Sequence, residues 1–355
     1  METLRIGFIG AGGIVRERHI PGLRQLPGII FAAVANRSRE SGERAAKEHG
    51  IEKVFDSWEE LVRSPEIDVV WIGTWPYMHC PITLAALRAG KHVFCQARMA
   101  MNPAEARQMY KAAQESDRVT MLCPPPMGMK GDPLMIKLLR QEQMLGEVYS
   151  IHFRDLFGKS LDPNAPLTWR QRWDLSGFNT LTVGIYAEVI HRWFGYAKNV
   201  TAQAKTFIAE RPTENGERMP VTRPDVVMAL TEMENGALMR WEWSGLAAPK
   251  PESYVEAYGS KGALRYNFDT DEIFISRDHK HWERMELPPE LTREWTVERD
   301  FIDAIRTGRE VHPDFYDGLK YMELTEAIML SADEGERVSL EELRGTDIFR
   351  GSFRS

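Results

Sequence analysis

Short apolar runs alternate with amphipathic stretches through the first third of the chain. LRIGFIG, FAAVANRS, IDVVWIGT, HVFCQA and VTMLCPPP have the length and β-branched content of strands. The stretches between them, IVRERHIPGLRQL, RESGERAAKEHG, PITLAALRAG and PAEARQMYKAAQES, carry apolar residues at helical spacing. Strands apolar on both faces, joined by amphipathic helices, predict a parallel sheet with crossover helices. Pro124, Pro125 and Pro126 stop the fifth run and set a boundary near residue 124.

Beyond that boundary the period changes. DPLMIKLLRQEQ reads as a helix, and EVYSIHFRD alternates as a half-buried strand does. A loop rich in Trp and Arg follows. It leads to a helix expected from about Thr180 to Phe194, ended by Gly195. VTAQAKTFIA, DVVMALTEME, GALMRWEWSG, SYVEAYGS, GALRYNF and EIFISRD then read as strands, with glycine turns at ENGA and GSKGA that suit hairpins. VERDFIDAIRTG and YDGLKYMELTEAIMLSADEG close the chain as helices. The expected fold is an α/β parallel-sheet domain, residues 1–123, followed by an α+β domain, residues 124–355, with a mostly antiparallel open sheet. The closing helices are candidates to pack back on the first domain. Trp241 and Trp243 in RWEWSG are expected on the open face. An uncovered apolar face seeks a partner, so a homodimer or homotetramer is expected.

Composition narrows the function classes. The 355 residues are ordinary in polarity and carry a net charge of −7, without a run of Lys and Arg. That argues against a nucleic-acid surface. Three cysteines, Cys80, Cys95 and Cys123, lack metal-ligand spacing and fit no disulfide framework. The start of the chain has no charged, long apolar leader, and no apolar run approaches a membrane span. A cytoplasmic protein with no membrane partner is expected. His79 and His191 have no paired His, Cys or Glu spacing, so no metal is expected.

GFIGAGGIV places Gly10, Gly12, Gly13 and Ile14 where the first strand turns into a helix. Glycines there permit a tight turn and close approach of a diphosphate, and the helix start supplies N–H groups. The context on the first strand of a Rossmann-type sheet makes this a nicotinamide dinucleotide site. Val15 stands where the motif has its third glycine, which predicts looser packing of helix on strand. The second strand ends in Asn36, Arg37 and Ser38 instead of the acidic residue that binds a ribose 2′-hydroxyl. No carboxylate repels a 2′-phosphate there, and Arg37 and Ser38 can bond one. The expected cofactor is NADP or NAD, with NADP slightly preferred.

These pieces together resemble the Gfo/Idh/MocA family of NAD(P)-dependent oxidoreductases, nearly end to end. GFIGAGGI looks like the family's nucleotide turn and GTWPYMH like its Thr-x-Pro-x-x-His loop. ALRAGKHVF, GSKGAL and FIDAIRTGRE are similar to later family segments. The resemblance implies cofactor contacts from Thr74, Trp75, Pro76, His79 and Gln96, and a sugar, cyclitol or related carbohydrate-like substrate. The family's Glu-Lys-Pro becomes Gln96, Ala97 and Arg98 here, so its catalytic lysine is missing. Its Asp-x-Gly-x-His-x-x-Asp helix becomes Thr182, Gly184, Tyr186 and Val189. Tyrosine at the histidine position occurs in family branches acting on sugars and diols.

Moving a hydride from an alcohol also requires removing its hydroxyl proton, and a positioned acid–base group contributes about 10²–10⁴ in rate. Ala97 cannot supply one. Thr182, Tyr186, Val189 and Trp193 share one helical face, and among them Tyr186 is the candidate proton donor. A tyrosine acting near neutrality needs a neighbouring cation, for which Arg98, Arg170 and Arg172 are candidates. Trp169 and Trp173, with Arg170, Arg172 and Thr182, are the candidate substrate residues. Alternatives are an NAD-dependent glycosidase working by transient oxidation and elimination, and a non-catalytic nucleotide-binding member of the family.

Overall fold

The computed structural model describes residues 3–125, 129–247 and 251–345, so Pro126 of the boundary lies outside it. The chain divides into two compact units. One comprises Met1–Pro126 with Trp295–Leu319, and the other Met127–Glu294 with Lys320–Ser355. Trp295–Leu319, 25 residues that include the first closing helix, group with the first unit.

The first unit is a six-stranded parallel sheet. Its strands are β1 (Leu4–Ile9), β2 (Ile29–Ala35), β3 (Lys53–Val54), β4 (Val69–Ile72), β5 (His92–Cys95) and β6 (Thr120–Leu122). Their order is β3-β2-β1-β4-β5-β6, the order of a dinucleotide-binding doubly wound sheet. Local sequence fixes the helix starts. Ser38 caps Arg39–His49 by accepting from the Ser41 N–H, and Asn102 caps Pro103–Gln114 by accepting from Glu105.

The returning segment explains itself through its core contacts. The helix Val297–Thr307 buries Val297, Phe301 and Ile302 in the same cluster as Phe8, Trp71 and Phe94. Trp71 and Phe94 stack at 3.9 Å, and the Phe301 ring meets both edge-on at 5.8 and 5.6 Å. Burying that ring is worth roughly 2–3 kcal/mol. Trp295 and Glu298 at the segment's start reach His19, as described below.

The second unit carries β7 (Val148–Leu156), β8 (Ala197–Lys205), β9 (Glu210–Pro212), β10 (Arg218–Pro220), β11 (Val226–Met233), β12 (Leu238–Ser244), β13 (Glu252–Gly259), β14 (Gly262–Asn267), β15 (Glu272–Ser276), β16 (Glu283–Met285) and β17 (Val338–Ser339). Nine form one sheet in the order β16-β15-β14-β13-β7-β12-β11-β8-β17, with only β12–β7 parallel. β9 and β10 pair separately.

Trp241 and Trp243 correct the expectation that they lie on the open face. Both are fully buried, stacked at 5.2 Å, and flank Phe153 at 5.6 and 5.4 Å. Phe153 also meets Tyr186 of the helix Val183–Phe194 at 4.8 Å. The alternating side of β11 and β12 carries the exposed apolar residues instead: Met228, Leu230 and Leu238. Arg154 lies across neighbouring strands and pairs with Glu242 and Glu252. No helix among the described residues is long and apolar enough to cross a membrane.

Candidate active site

Gly10 leaves β1 with a left-handed φ of +81°. A Cβ there would lie 2.8 Å from the Thr74 backbone nitrogen, so the position is reserved for glycine. Gly12 and Gly13 differ. A Cβ would meet nothing closer than 3.9 Å at Gly12 and 3.6 Å at Gly13. Protein packing does not explain glycine at these two positions, whereas close approach of a diphosphate does. Ile14 packs partly against the core.

Packing here is tight despite Val15. A Cβ on Gly73, just after β4, would lie 2.4 Å from both Val15 Cγ2 and the Gly10 carbonyl oxygen. The missing glycine is thus compensated by one on the neighbouring strand. The Thr74 hydroxyl is buried without a protein partner among the described residues. It can bond a ligand, and the residues at this turn fit a dinucleotide.

Asn36 ties the turn to the following helix. Its Oδ1 accepts from the Ala11 N–H at 2.8 Å and its Nδ2 donates to the Ser41 carbonyl at 3.0 Å. Ser38 caps the following helix. Arg37 is exposed, its guanidinium 5.9 Å from the Trp75 ring. Pro76 opens the short helix Pro76–Met78.

His79 also takes a supporting place. It has no exposed surface. Its Nε2 meets the Thr74 carbonyl at 2.9 Å, and its Nδ1 meets those of Arg98 and Met99 at 3.0 and 3.2 Å. Burial lowers its pKa against the pull of these carbonyls. His79 thus staples the loop after β4 to the segment after β5.

Gln96 follows β5 and donates its side-chain amide N–H to His19 Nε2. His19 Nδ1 bonds Glu298 at 2.5 Å, and the Trp295 indole donates to the same carboxylate at 3.0 Å. Sequence reading missed His19 and Glu298, since their 279-residue separation leaves no local signal. Ala97 packs partly on the core, and Arg98 is almost wholly buried.

In the second unit, a polar cluster interrupts the apolar inner face of the sheet. Asp155 on β7 lies opposite Ser253 on β13. Asp155 accepts hydrogen bonds from Thr182, at the start of Val183–Phe194, and from Ser253. Ser253 Oγ is 2.8 Å from the Tyr186 hydroxyl. Thr182 is the partly exposed member, whereas Asp155, Ser253 and Tyr186 are buried. Asp155 was not among the expected site residues. The alternation that points Ile151 and Phe153 inward points it inward too.

Burial and nearby carboxylates set the character of the Tyr186 hydroxyl. Burial raises the hydroxyl's pKa first, and the Asp155 charge raises it further, with Asp269 adding to this. Burial likewise raises the Asp155 carboxyl above its usual range, against the bonds from Thr182 and Ser253.

The Trp–Arg loop is held by its own contacts. Arg170 lies 4.3 Å from the Trp169 ring, Arg172 pairs with Asp174, and Arg223 lies 4.6 Å from the Trp173 ring. Trp169 and Trp173 are each partly exposed. Among the described residues, one group has cation-compatible spacing: His312, Asp314 and Asp317. Asp314 and Asp317 exchange bonds with each other's backbone N–H, and His312 bonds Asp317, which accounts for their proximity.

A profile described as oxidoreductase family, NAD-binding Rossmann fold, matches residues 4–123, and a GFO/IDH/MocA C-terminal domain profile matches residues 134–265. Levoglucosan dehydrogenase of Pseudarthrobacter phenanthrenivorans is 26% identical over 97% of this chain and 100% of its own length. Trans-1,2-dihydrobenzene-1,2-diol dehydrogenase of Bos taurus is 27% identical over 82% of this chain and 83% of its own. The solved structure of levoglucosan dehydrogenase in complex with NADH and L-sorbose matches with a TM-score of 0.85 and 25% identity, over 96% of this chain and 99% of that one.

Proposed function

Because the chain belongs to the Gfo/Idh/MocA family of oxidoreductases, we propose that it interconverts an alcohol and a carbonyl on a sugar, cyclitol or related polyol. The observation that carries this reading is the turn after β1, where Gly12 and Gly13 are open to a diphosphate and Thr74 has a hydroxyl to spare. A nicotinamide bound there accepts or returns the hydride. NADP is the favoured form: exposed Arg37 is able to pair with a 2′-phosphate, and Asn36 and Ser38 bring no repelling charge.

Tyr186 is the proposed proton donor and acceptor, standing in for the lysine absent at Ala97. It is a neutral hydroxyl in a polar cluster. The raised pKa means that it works without accumulating tyrosinate. Trp169 and Trp173 offer ring faces for the apolar side of a sugar, with Arg170, Arg172 and Thr182 supplying donors. The exposed side of β11 and β12 is the proposed surface for a homodimer or homotetramer.

Levoglucosan with NAD or NADP is the first substrate to assay, followed by trans-1,2-dihydrobenzene-1,2-diol, as named for the relatives. Tyr186→Phe keeps the ring packing and removes the hydroxyl. It is expected to lower turnover about 10²-fold or more with cofactor affinity retained. Turnover at the parent rate would remove Tyr186 from the reaction.

A further inference from the structure

The second unit places a buried carboxylate one hydroxyl away from Tyr186. We propose that Asp155 is the terminal proton acceptor of a relay that runs from Tyr186 through Ser253. The inference rests on the assignment of Tyr186 as proton donor and acceptor made above.

The geometry is a short chain of polar atoms in an apolar layer. Ser253 Oγ lies 2.8 Å from the Tyr186 hydroxyl and bonds the Asp155 carboxylate across the β13–β7 pairing. Trp243 pairs with Asp155 from β12, and Phe153 and Phe268 each meet the Tyr186 ring at 4.8 Å. A carboxylate in such a layer is costly unless it is hydrogen-bonded and useful. Asp155 takes bonds from two hydroxyls, those of Thr182 and Ser253, and no cation forms an ion pair with it among the described residues. The charged groups acting on it are exposed Asp269 and exposed Lys159, which oppose each other.

The relay resolves the difficulty that Tyr186 presents. Burial and two carboxylates disfavour its anion. In alcohol oxidation the substrate O–H bond breaks as the Tyr186 oxygen takes the proton. The original Tyr186 proton passes to Ser253 Oγ, and the Ser253 proton passes to Asp155. Tyr186 and Ser253 begin and end neutral, and Asp155 ends as the carboxylic acid. The hydride leaves the carbinol carbon for the nicotinamide that the family activity supplies. Carbonyl reduction runs the same steps backwards. Thr182 donates to the same carboxylate and fixes its orientation. Thr182 stands at the sequence position of the family aspartate.

The test has two arms. On the protein alone, difference infrared spectra across pH read the carboxylic C=O band of Asp155. A band that titrates above the ordinary carboxylate range, disappears in Asp155→Asn and shifts in Ser253→Ala is expected. Its absence from the parent overturns the relay. With levoglucosan and NAD, Asp155→Asn is expected to lower kcat about 10²-fold and to remove the acidic limb of its pH profile. Ser253→Ala is expected to lower kcat about tenfold or more, and Ser253→Thr, which keeps the hydroxyl, to restore it. Tyr186→Phe impaired while Ser253→Ala turns over at the parent rate overturns the relay and leaves Tyr186 in place. A parent-like Tyr186→Phe removes both. Should Asp155→Asn fail to fold, the parent spectrum and the Ser253 pair decide.

Discussion

Val15 and Gly73 meet where the first helix crosses the start of the loop after β4, with no room for a side chain on the glycine. A methyl there would press on Val15 and on the Gly10 carbonyl, both at 2.4 Å. Gly73→Ala is expected to destabilise the first unit by about 1–3 kcal/mol. Adding Val15→Ala relieves only part of this, because the carbonyl contact remains. Gly12→Leu is the contrasting variant. Its Cβ meets no close protein atom, so thermal unfolding should match the parent while dinucleotide binding is lost. Unchanged NADH or NADPH affinity in Gly12→Leu would contradict the nucleotide site.

Arg37 tests the cofactor preference. A guanidinium bonding an exposed 2′-phosphate is worth roughly 1.5 kcal/mol. Arg37→Ala is therefore expected to weaken NADP about tenfold and leave NAD unchanged. Calorimetric titration with both cofactors reads the difference, and equal losses would show that Arg37 does not discriminate.

The first unit should lose stability in acid through His92. Burial, then the charge of Arg118, push its pKa down to about 4, and Nδ1 accepts the Val119 N–H at 2.9 Å. The unfolded chain takes up a proton near pH 6.5 that the folded chain refuses. Stability is full above that pH and falls as the pH drops towards 4. The ring is only partly buried, so about 1–2 kcal/mol is expected rather than the full shift. His79, lowered by burial, adds in the same direction. Urea unfolding at about pH 7 and about pH 4.5 should show a smaller acid loss in His92→Gln than in the parent.

Leu230 and Leu238 test the sheet surface. Both are more than half exposed, at 62% and 64%. Leu230→Glu with Leu238→Glu should convert a dimer or tetramer to monomers in light scattering without changing the fold. A parent already monomeric at micromolar concentration would exclude this interface.

Much of the fold is written in periodicity. Runs such as VVWI and HVFC are strands because β-branched and aromatic residues fill buried positions on both faces. Lys53–Val54 is too short to leave a pattern. Trp241 and Trp243 share one side of β12, as alternation predicts, but it is the covered side and not the open one. Alternation says which residues share a face, and the partner helix decides which face is covered. Charged Arg240 and Glu242 on the other side held the answer. Asp155 was equally legible by parity with Ile151 and Phe153. Its link to Ser253 was not, because that pairing spans 98 residues and depends on the register of β13.

Asn36 fastens the nucleotide turn to the helix beyond β2: its amide oxygen accepts from the Ala11 N–H and its amide nitrogen donates to the Ser41 carbonyl. Redesign of cofactor choice by the usual acidic substitution would fail at this position. An aspartate keeps the acceptor for Ala11 but turns a second oxygen on the Ser41 carbonyl, so two acceptors face each other. The turn would loosen before any ribose was recognised. Specificity is more readily separated from architecture at the next residue, Arg37, whose exposed side chain touches the Trp75 ring without bridging the turn to the helix.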